Sequence, residues 1–310
     1  VSRFARVNGV LLLDKPRGLT SQQAVSRVKR LFGAAKAGHT GTLDPMAEGL
    51  LPIGLGEATK YSRFLLDADK TYRALVRLGL TTDTGDAEGQ PRQRRDVAVT
   101  RTEAEAVLGR FRGELSQIPP MHSALKVGGR PLYAYARAGE TLERSPRKVT
   151  INDLQLIDFN ENLMGLRITC SKGTYIRVLA EDIGEALGCG AHLEGLWREA
   201  TGGYRIEQAV SLPGLEALSP DERLRTLLPV EAFAVALPQV QLTASESTRI
   251  CSGQRVTVSL GPGFYRLYGE SGVFLGVGEA GGDGLTAARL VALDGAPGAV
   301  SPLSTPQLNC

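Results

Sequence analysis

The sequence predicts an α+β protein in two parts: a large amino-terminal domain of strands and helices over residues 1–229 and a small, β-barrel-like domain over 230–293. Three observations carry that prediction. At 310 residues the chain exceeds one average domain, which favours one large and one small core over a single one. Up to about residue 229, apolar residues recur at a spacing of two in some stretches and of three or four in others, the periods of strands and helices. From about Val230 the texture changes to short apolar runs at 255–258, 264–268, 273–277 and 285–293, separated by glycines. The stretch 294–310 is rich in Gly, Pro and Ser and is expected to be a flexible tail.

Taken in order, residues 11–13 read as a buried strand ending at Asp14-Lys15-Pro16. Thr20 and Gln23 have capping-box spacing and open a helix. Its apolar stripe is Ala24, Val25, Val28, Leu31 and Phe32, with Arg27 and Arg30 facing away, until Gly33 stops it. Residues 70–80 alternate, Tyr72, Ala74, Val76 and Leu78 sharing the core face and Arg73 and Arg77 the other. Residues 82–89 are turn-rich, and a second helix over 101–111 begins with Thr100 and Glu103 in capping-box spacing. Prolines, glycines and scattered bases over 118–148 predict an irregular insertion, mobile without ligand, in which only 132–138 has helical character. Strands are expected at 149–159 and 163–171. A helix follows whose stripe is Ile176, Leu179, Ala180, Ile183, Ala186 and Leu187, ended by Gly188. Arg177 lies one residue off that stripe, beside the preceding loop rather than deep in the core.

No apolar run approaches the roughly 20 residues that span a bilayer, and the run 10–13 is too short for the core of a secretory signal. The expectation is a soluble, cytoplasmic protein. Cys170, Cys189, Cys251 and Cys310 are widely separated, without C-x-x-C spacing or paired histidines, which fits a reducing compartment and no zinc site. Acids and bases nearly cancel, 33 against 36, so local clusters say more than the sum. Arg27, Lys29, Arg30 and Lys36 form one cluster, Arg92, Arg94 and Arg95 a second, Arg144, Arg147 and Lys148 a third. Each alone is compatible with a solvated face.

The most informative run is Gly38-His39-Thr40-Gly41-Thr42-Leu43-Asp44-Pro45-Met46-Ala47-Glu48-Gly49. Its glycines, proline and threonines favour a rigid loop over a helix or strand, and Asp44 is the one acid in it before Glu48. From this peptide alone Asp44 reads equally as a nucleophile or as an ordinary Asx-turn residue. Five further blocks accompany it: 9–16 (GVLLLDKP), 70–72 (KTY), 82–86 (TDTGD), 117–126 (QIPPMHSALK) and 170–177 (CSKGTYIR). In this order they resemble the TruB-type tRNA pseudouridine synthases, which isomerise uridine 55 in the T loop of tRNA.

The resemblance implies a mixed, mainly antiparallel central sheet flanked by helices and a PUA-type RNA-binding domain at the carboxyl end. It assigns the reacting carboxylate to Asp44. A carboxylate in a pocket needs a cation beside it to stay ionised, and Arg177 in the matching 170–177 block is the residue for that, able to grip it by two parallel hydrogen bonds. Tyr72 offers a plane for stacking the uracil and a hydroxyl for proton relay. Tyr175 and Leu196 line the pocket, and His39 stacks in the loop that base flipping disrupts. Lys15 and Lys126 support the fold or touch phosphate. The insertion, with Lys126, Arg130, Arg137, Arg147 and Lys148, closes over RNA. The isomerisation involves no redox change, so no metal or organic cofactor is expected. A monomer binding the tRNA T stem-loop, with no obligate protein partner, is the expected state.

Three positions depart from the family's usual pattern: Glu48, where a small hydroxyl residue is expected, and Trp197 and Glu199. Two other readings compete. A non-catalytic RNA-binding or RNA-folding protein would use the Asp44 loop only structurally, although a tRNA-folding role is also compatible with catalysis. An Asp-dependent glycosidase would need a second acid in a recognisable block, which the sequence lacks.

Overall fold

The computed structural model describes residues 7–282 and 284–292. The basic start at 1–6 and the tail expected over 294–310 lie outside the described residues. The chain divides into two compact units after Ala236, a few residues beyond the expected boundary.

In the first unit β1 (Gly9–Lys15) is a core strand with Val10, Leu11, Leu12 and Leu13 buried. α1 (Ser21–Leu31) opens on the expected capping box. The Thr20 hydroxyl accepts the Gln23 N–H at 3.1 Å, and the Gln23 side-chain oxygen accepts the Thr20 N–H at 2.8 Å. β2 (Ala37–His39) and β3 (Glu48–Leu55) follow, with the Asp44 loop between them. α2 (Ser62–Leu66) precedes β4 (Lys70–Leu78), in which Tyr72, Ala74, Val76 and Leu78 are buried and Arg73 is exposed. β5 (Leu80–Thr82) and β6 (Pro91–Arg94) pair as a hairpin, and α3 (Arg101–Leu108) carries the second capping box.

After β7 (Gly113–Gln117) the insertion is less irregular than expected. β8 (Lys126–Val127) pairs with β9 (Arg130–Pro131) across Gly128 and Gly129, whose φ angles of 57° and 81° suit a two-residue hairpin turn. α4 (Leu132–Arg137) then buries Leu132. β10 (Arg147–Asn160) and β11 (Leu163–Cys170) are the two expected strands. α5 (Ile176–Ala186) buries Ile176, Leu179, Ala180 and Ile183. β12 (Ala191–Thr201), β13 (Tyr204–Arg205), β14 (Val210–Ser211), α6 (Leu212–Ala217) and α7 (Pro220–Arg225) complete the unit.

The main sheet runs β14-β1-β3-β12-β4-β11-β10-β7, with β13 on β12 and β2 on β3. β1–β14 and β3–β12 are parallel and the other pairs antiparallel, so the sheet is mixed and mainly antiparallel. α5 packs on β12 and β4, and α3 on β10. β12 places Trp197 and Arg198 beside both β4 and the start of β3, next to the Asp44 loop.

The second unit has a four-stranded sheet, β15 (Gln239–Gln241), β16 (Gly263–Tyr268), β17 (Phe274–Gly281) and β18 (Gly284–Leu290), in that order. The run 255–258 is not a strand, although Val256 bridges to Leu285. α8 (Ala244–Cys251), not anticipated, opens on a Thr243–Glu246 capping box. Leu242, Ile250, Leu267, Leu275 and Leu285 form the unit's own core.

Candidate active site

The Asp44 loop is held from several directions. The Ser21 hydroxyl at the start of α1 both donates to the Leu43 carbonyl, at 2.9 Å, and accepts the Leu43 N–H, at 2.8 Å. Thr40 N–H reaches the Pro52 carbonyl at 3.2 Å, Ala47 N–H the Asp44 carbonyl at 3.0 Å, and Gly18 N–H the Pro45 carbonyl at 2.7 Å. Gly41 takes a φ of 136°, where a side chain would be strained. Leu43, Met46 and Ala47 are buried, while the Asp44 side chain keeps 40% of its surface exposed.

What meets the Asp44 carboxylate is Arg177: its Nη2 lies 3.0 Å from Asp44 Oδ2. Among the described residues no backbone N–H donates to that carboxylate, so the Asx-turn alternative is not how the loop is built. Arg177 itself is buried, its side chain 6% exposed, which corrects the expectation of a position beside the loop at the margin of the core. Nor does it grip Asp44 with a two-bond fork. The fork is shared: Nη1 lies 3.5 Å from Asp86 Oδ2 and donates to the Thr84 carbonyl at 3.1 Å, while Nη2 also donates to the His122 carbonyl at 2.6 Å. Asp86 is as buried as Arg177 and is fixed by the Thr84 hydroxyl at 2.6 Å and the Glu88 N–H at 3.1 Å. The 170–177, 82–86, 117–126 and 38–49 blocks thus converge on one guanidinium.

Tyr72 lies buried on β4, close enough for the Asp44 charge to act on its phenol. Burial pushes that phenol's pKa up, and the neighbouring Arg198 charge opposes the rise. Leu196 is buried on β12 opposite Ala74. Tyr175, half-buried, caps the start of α5, and its backbone is clamped by the Gln117 amide at 3.0 and 3.3 Å. His39 ends β2 half-buried. Its Nδ1 accepts the Gly41 N–H at 3.2 Å, and burial and then Arg198 lower its pKa, so the ring is neutral at neutral pH.

Lys15 is placed differently from the phosphate contact entertained for it. Its side chain is wholly buried, with Nζ donating to the carbonyls of Pro16 at 2.8 Å and Leu19 at 2.7 Å. It closes the β1–α1 turn from inside. Lys126 is exposed on the insertion hairpin and makes no contact with this cluster.

Three family models match in succession: the TruB family pseudouridylate synthase N-terminal domain over residues 29–176, the tRNA pseudouridylate synthase B C-terminal domain over 177–234, and the pseudouridine synthase II TruB C-terminal model over 238–291. The chain is 54% identical over 287 residues to the tRNA pseudouridine synthase B of Azoarcus sp. (strain BH72), covering 92% of this chain and 95% of that one. It is 53% identical over 283 residues to that of Dechloromonas aromatica (strain RCB), covering 91% and 94%. The chain belongs to the TruB family of pseudouridine synthases. It is therefore an isomerase. A solved Cbf5-Nop10-Gar1 complex shares the fold, with a TM-score of 0.72 at 24% identity over 92% of this chain and 85% of that one.

Two residues of this TruB site carry no role in the sequence reading. Asp86 lies in the 82–86 block, but nothing local says that its partner stands on a helix 91 positions later. Arg198 is fully buried, lies across the sheet from Tyr72 in register and donates to the Gly41 carbonyl of the Asp44 loop. Its only signal is an arginine on the same strand face as Leu196. The departures at Trp197 and Glu199 point to the other face, where Trp197 lies under the Arg73 guanidinium at 4.8 Å and Glu199 pairs with Arg167 at 3.0 Å. Glu48, at the head of β3, acts on its neighbours: it opposes the lowering of the Lys15 pKa and adds to the burial that raises Asp14.

Proposed function

We propose that this chain isomerises uridine 55 in the T loop of tRNA to pseudouridine, with Asp44 as the reacting carboxylate. The observation that carries the reading is a 40%-exposed Asp44 held at 3.0 Å by a buried arginine. Such a pair keeps one carboxylate oxygen oriented and leaves the other side of the group open to a substrate. The reaction breaks N1–C1′, turns the uracil while it stays bound, joins C5 to C1′ and releases the C5 proton. Attack at C1′, attack at C6 and removal of the C2′ proton to give a glycal all draw on the same Asp44 oxygen. Tyr72, beside that carboxylate, offers a ring face and a hydroxyl to the flipped base, with Leu196 and Tyr175 as walls. A neutral His39 suits stacking in the vacated loop better than a charged ring would. The names of the TruB relatives support tRNA as the substrate.

The test is tritium release from tRNA labelled at uracil C5, with the product mapped to its position. Wild type is expected to release one tritium per tRNA at position 55, and Asp44→Asn none. A silent wild type removes the tRNA reading; an equally fast Asp44→Asn removes the assignment of the carboxylate. Release from a tRNA carrying cytidine at 55 would place the target elsewhere.

A further inference from the structure

Arg198 is among the largest side chains of the fold that are completely buried. Its Nε donates to the Leu50 carbonyl at 2.7 Å, Nη2 to the Gly41 carbonyl at 3.2 Å and Nη1 to the Thr42 carbonyl at 3.5 Å. Across the sheet it is the register partner of Tyr72, on whose phenol its charge acts. A register shift in β12 between Arg198 and Ala200 bends the strand at this point, as bulges beside active sites commonly do. Among the described residues no carboxylate lies within ion-pair distance. Burying a cation on carbonyls alone is unfavourable compared with an apolar side chain of similar volume, so filling space does not account for a guanidinium here.

Its hydrogen-bond chemistry gives a reason. Guanidinium has donors only and presents them in a fixed plane, so one group can hold several carbonyls at once. The same planar group holds the carbonyls of Gly41 and Thr42, which stand just before Asp44, and that of Leu50 on β3. One rigid fork on β12 therefore holds the loop that carries the carboxylate, directly across from the place of the phenol on β4.

We propose that Arg198 is a positioning residue for the isomerisation: it fixes the Asp44 loop relative to Tyr72, its neighbour across the sheet. The proposal rests on the reading of Asp44 as the reacting carboxylate. A residue that merely stabilised the fold would change melting and affinity, and its effect on rate would be independent of Tyr72.

Single-turnover rates at saturating tRNA separate these, measured for wild type, Arg198→Lys, Tyr72→Phe and the double variant. Lysine keeps the charge but cannot span three carbonyls. Arg198→Lys is expected to slow the chemical step about 10²-fold while tRNA affinity changes less than about twofold. The double variant is expected to be no slower than the slower single one. Wild-type-like turnover in Arg198→Lys, or losses that multiply in the double variant, would overturn the proposal. Should Arg198→Lys fail to fold, amide exchange in Arg198→Gln without RNA decides instead. With the three-carbonyl fork gone, residues 40–47 should exchange faster than in wild type, and unchanged exchange overturns the tie. A wild type inactive on tRNA would count against the isomerase reading alone, because the exchange measurement needs no substrate.

Discussion

Arg177 sets two carboxylates against one guanidinium, Asp44 half-exposed and Asp86 buried, and this asymmetry divides their work. Asp86 has no route to a substrate and serves to hold the arginine; Asp44 has one. Arg177→Met should therefore slow turnover far more than it weakens tRNA binding. It should also destabilise the fold by about 3–5 kcal/mol, because Asp86 would remain buried without its partner. Thermal melts, filter binding and single-turnover rates on one preparation check all three, and unchanged turnover with weakened binding would move Arg177 to an RNA-holding role. Lys15 allows a second, independent test. Burial lowers its pKa from 10.5 to about 8, so between those pH values the unfolded chain holds a proton that the folded chain does not. Stability thus rises with pH across that window, by up to about 1.4 kcal/mol per pH unit from this group, and none of that gain is present below the folded value. Denaturant melts at pH 8 and 10 should show a smaller gain in Lys15→Met than in wild type; an equal gain would mean that Lys15 titrates normally.

At the scale of elements, the Asp44 loop depends on the start of a helix. Ser21 satisfies both the N–H and the C=O of Leu43, so Ser21→Ala leaves two buried backbone groups unpaired, at a cost of about 1–3 kcal/mol. Because Leu43 precedes Asp44, the same change should slow turnover with little effect on tRNA affinity; a loss of stability without a loss of rate would show that the loop keeps its shape unaided. α1 was legible because its ends are spelled locally, by Thr20 with Gln23 and by Gly33. β4 was legible from its strict alternation. β3 was not, because Pro52 and two glycines read as breakers. Pro52 is accommodated because β2 covers β3 only from Ile53 onward and β12 only at Glu48 and Gly49, so the missing N–H falls between the two neighbours. β12 hid for another reason: its register shifts at Leu193/Gly195 and Arg198/Ala200 break the period of two that a pattern reading needs. Asp44 and Arg177 could be paired through a family's motifs, whereas Asp86 and Arg198 act through contacts that only the sheet's strand order creates.

For the whole molecule, the near balance of charge means that RNA affinity must come from bases that the fold leaves unspent. Many are already engaged. Arg95 pairs with Glu185 at 2.8 Å, Lys148 with Glu114 at 2.8 Å, and Arg144 donates to the Pro119 carbonyl at 3.0 Å. The two ion pairs offset one base in each of the second and third clusters, while Arg144 is held in place with its charge intact. In the insertion the position is different: Lys126 is exposed, and Arg137 lies over the Tyr133 ring at 5.4 Å, a contact that leaves the guanidinium's hydrogen-bond donors available. If these two cations meet phosphates, each releases counterions on binding. Lys126→Ala and Arg137→Ala should then each reduce the slope of log K against log salt by about 1, weakening binding similarly for every tRNA tested. The chemical step at saturating tRNA should be unchanged, since neither side chain touches the Asp44–Arg177–Asp86 cluster. Affinity titrations between low and physiological salt decide the matter: a wild-type slope in both variants would take these two bases out of the RNA interface.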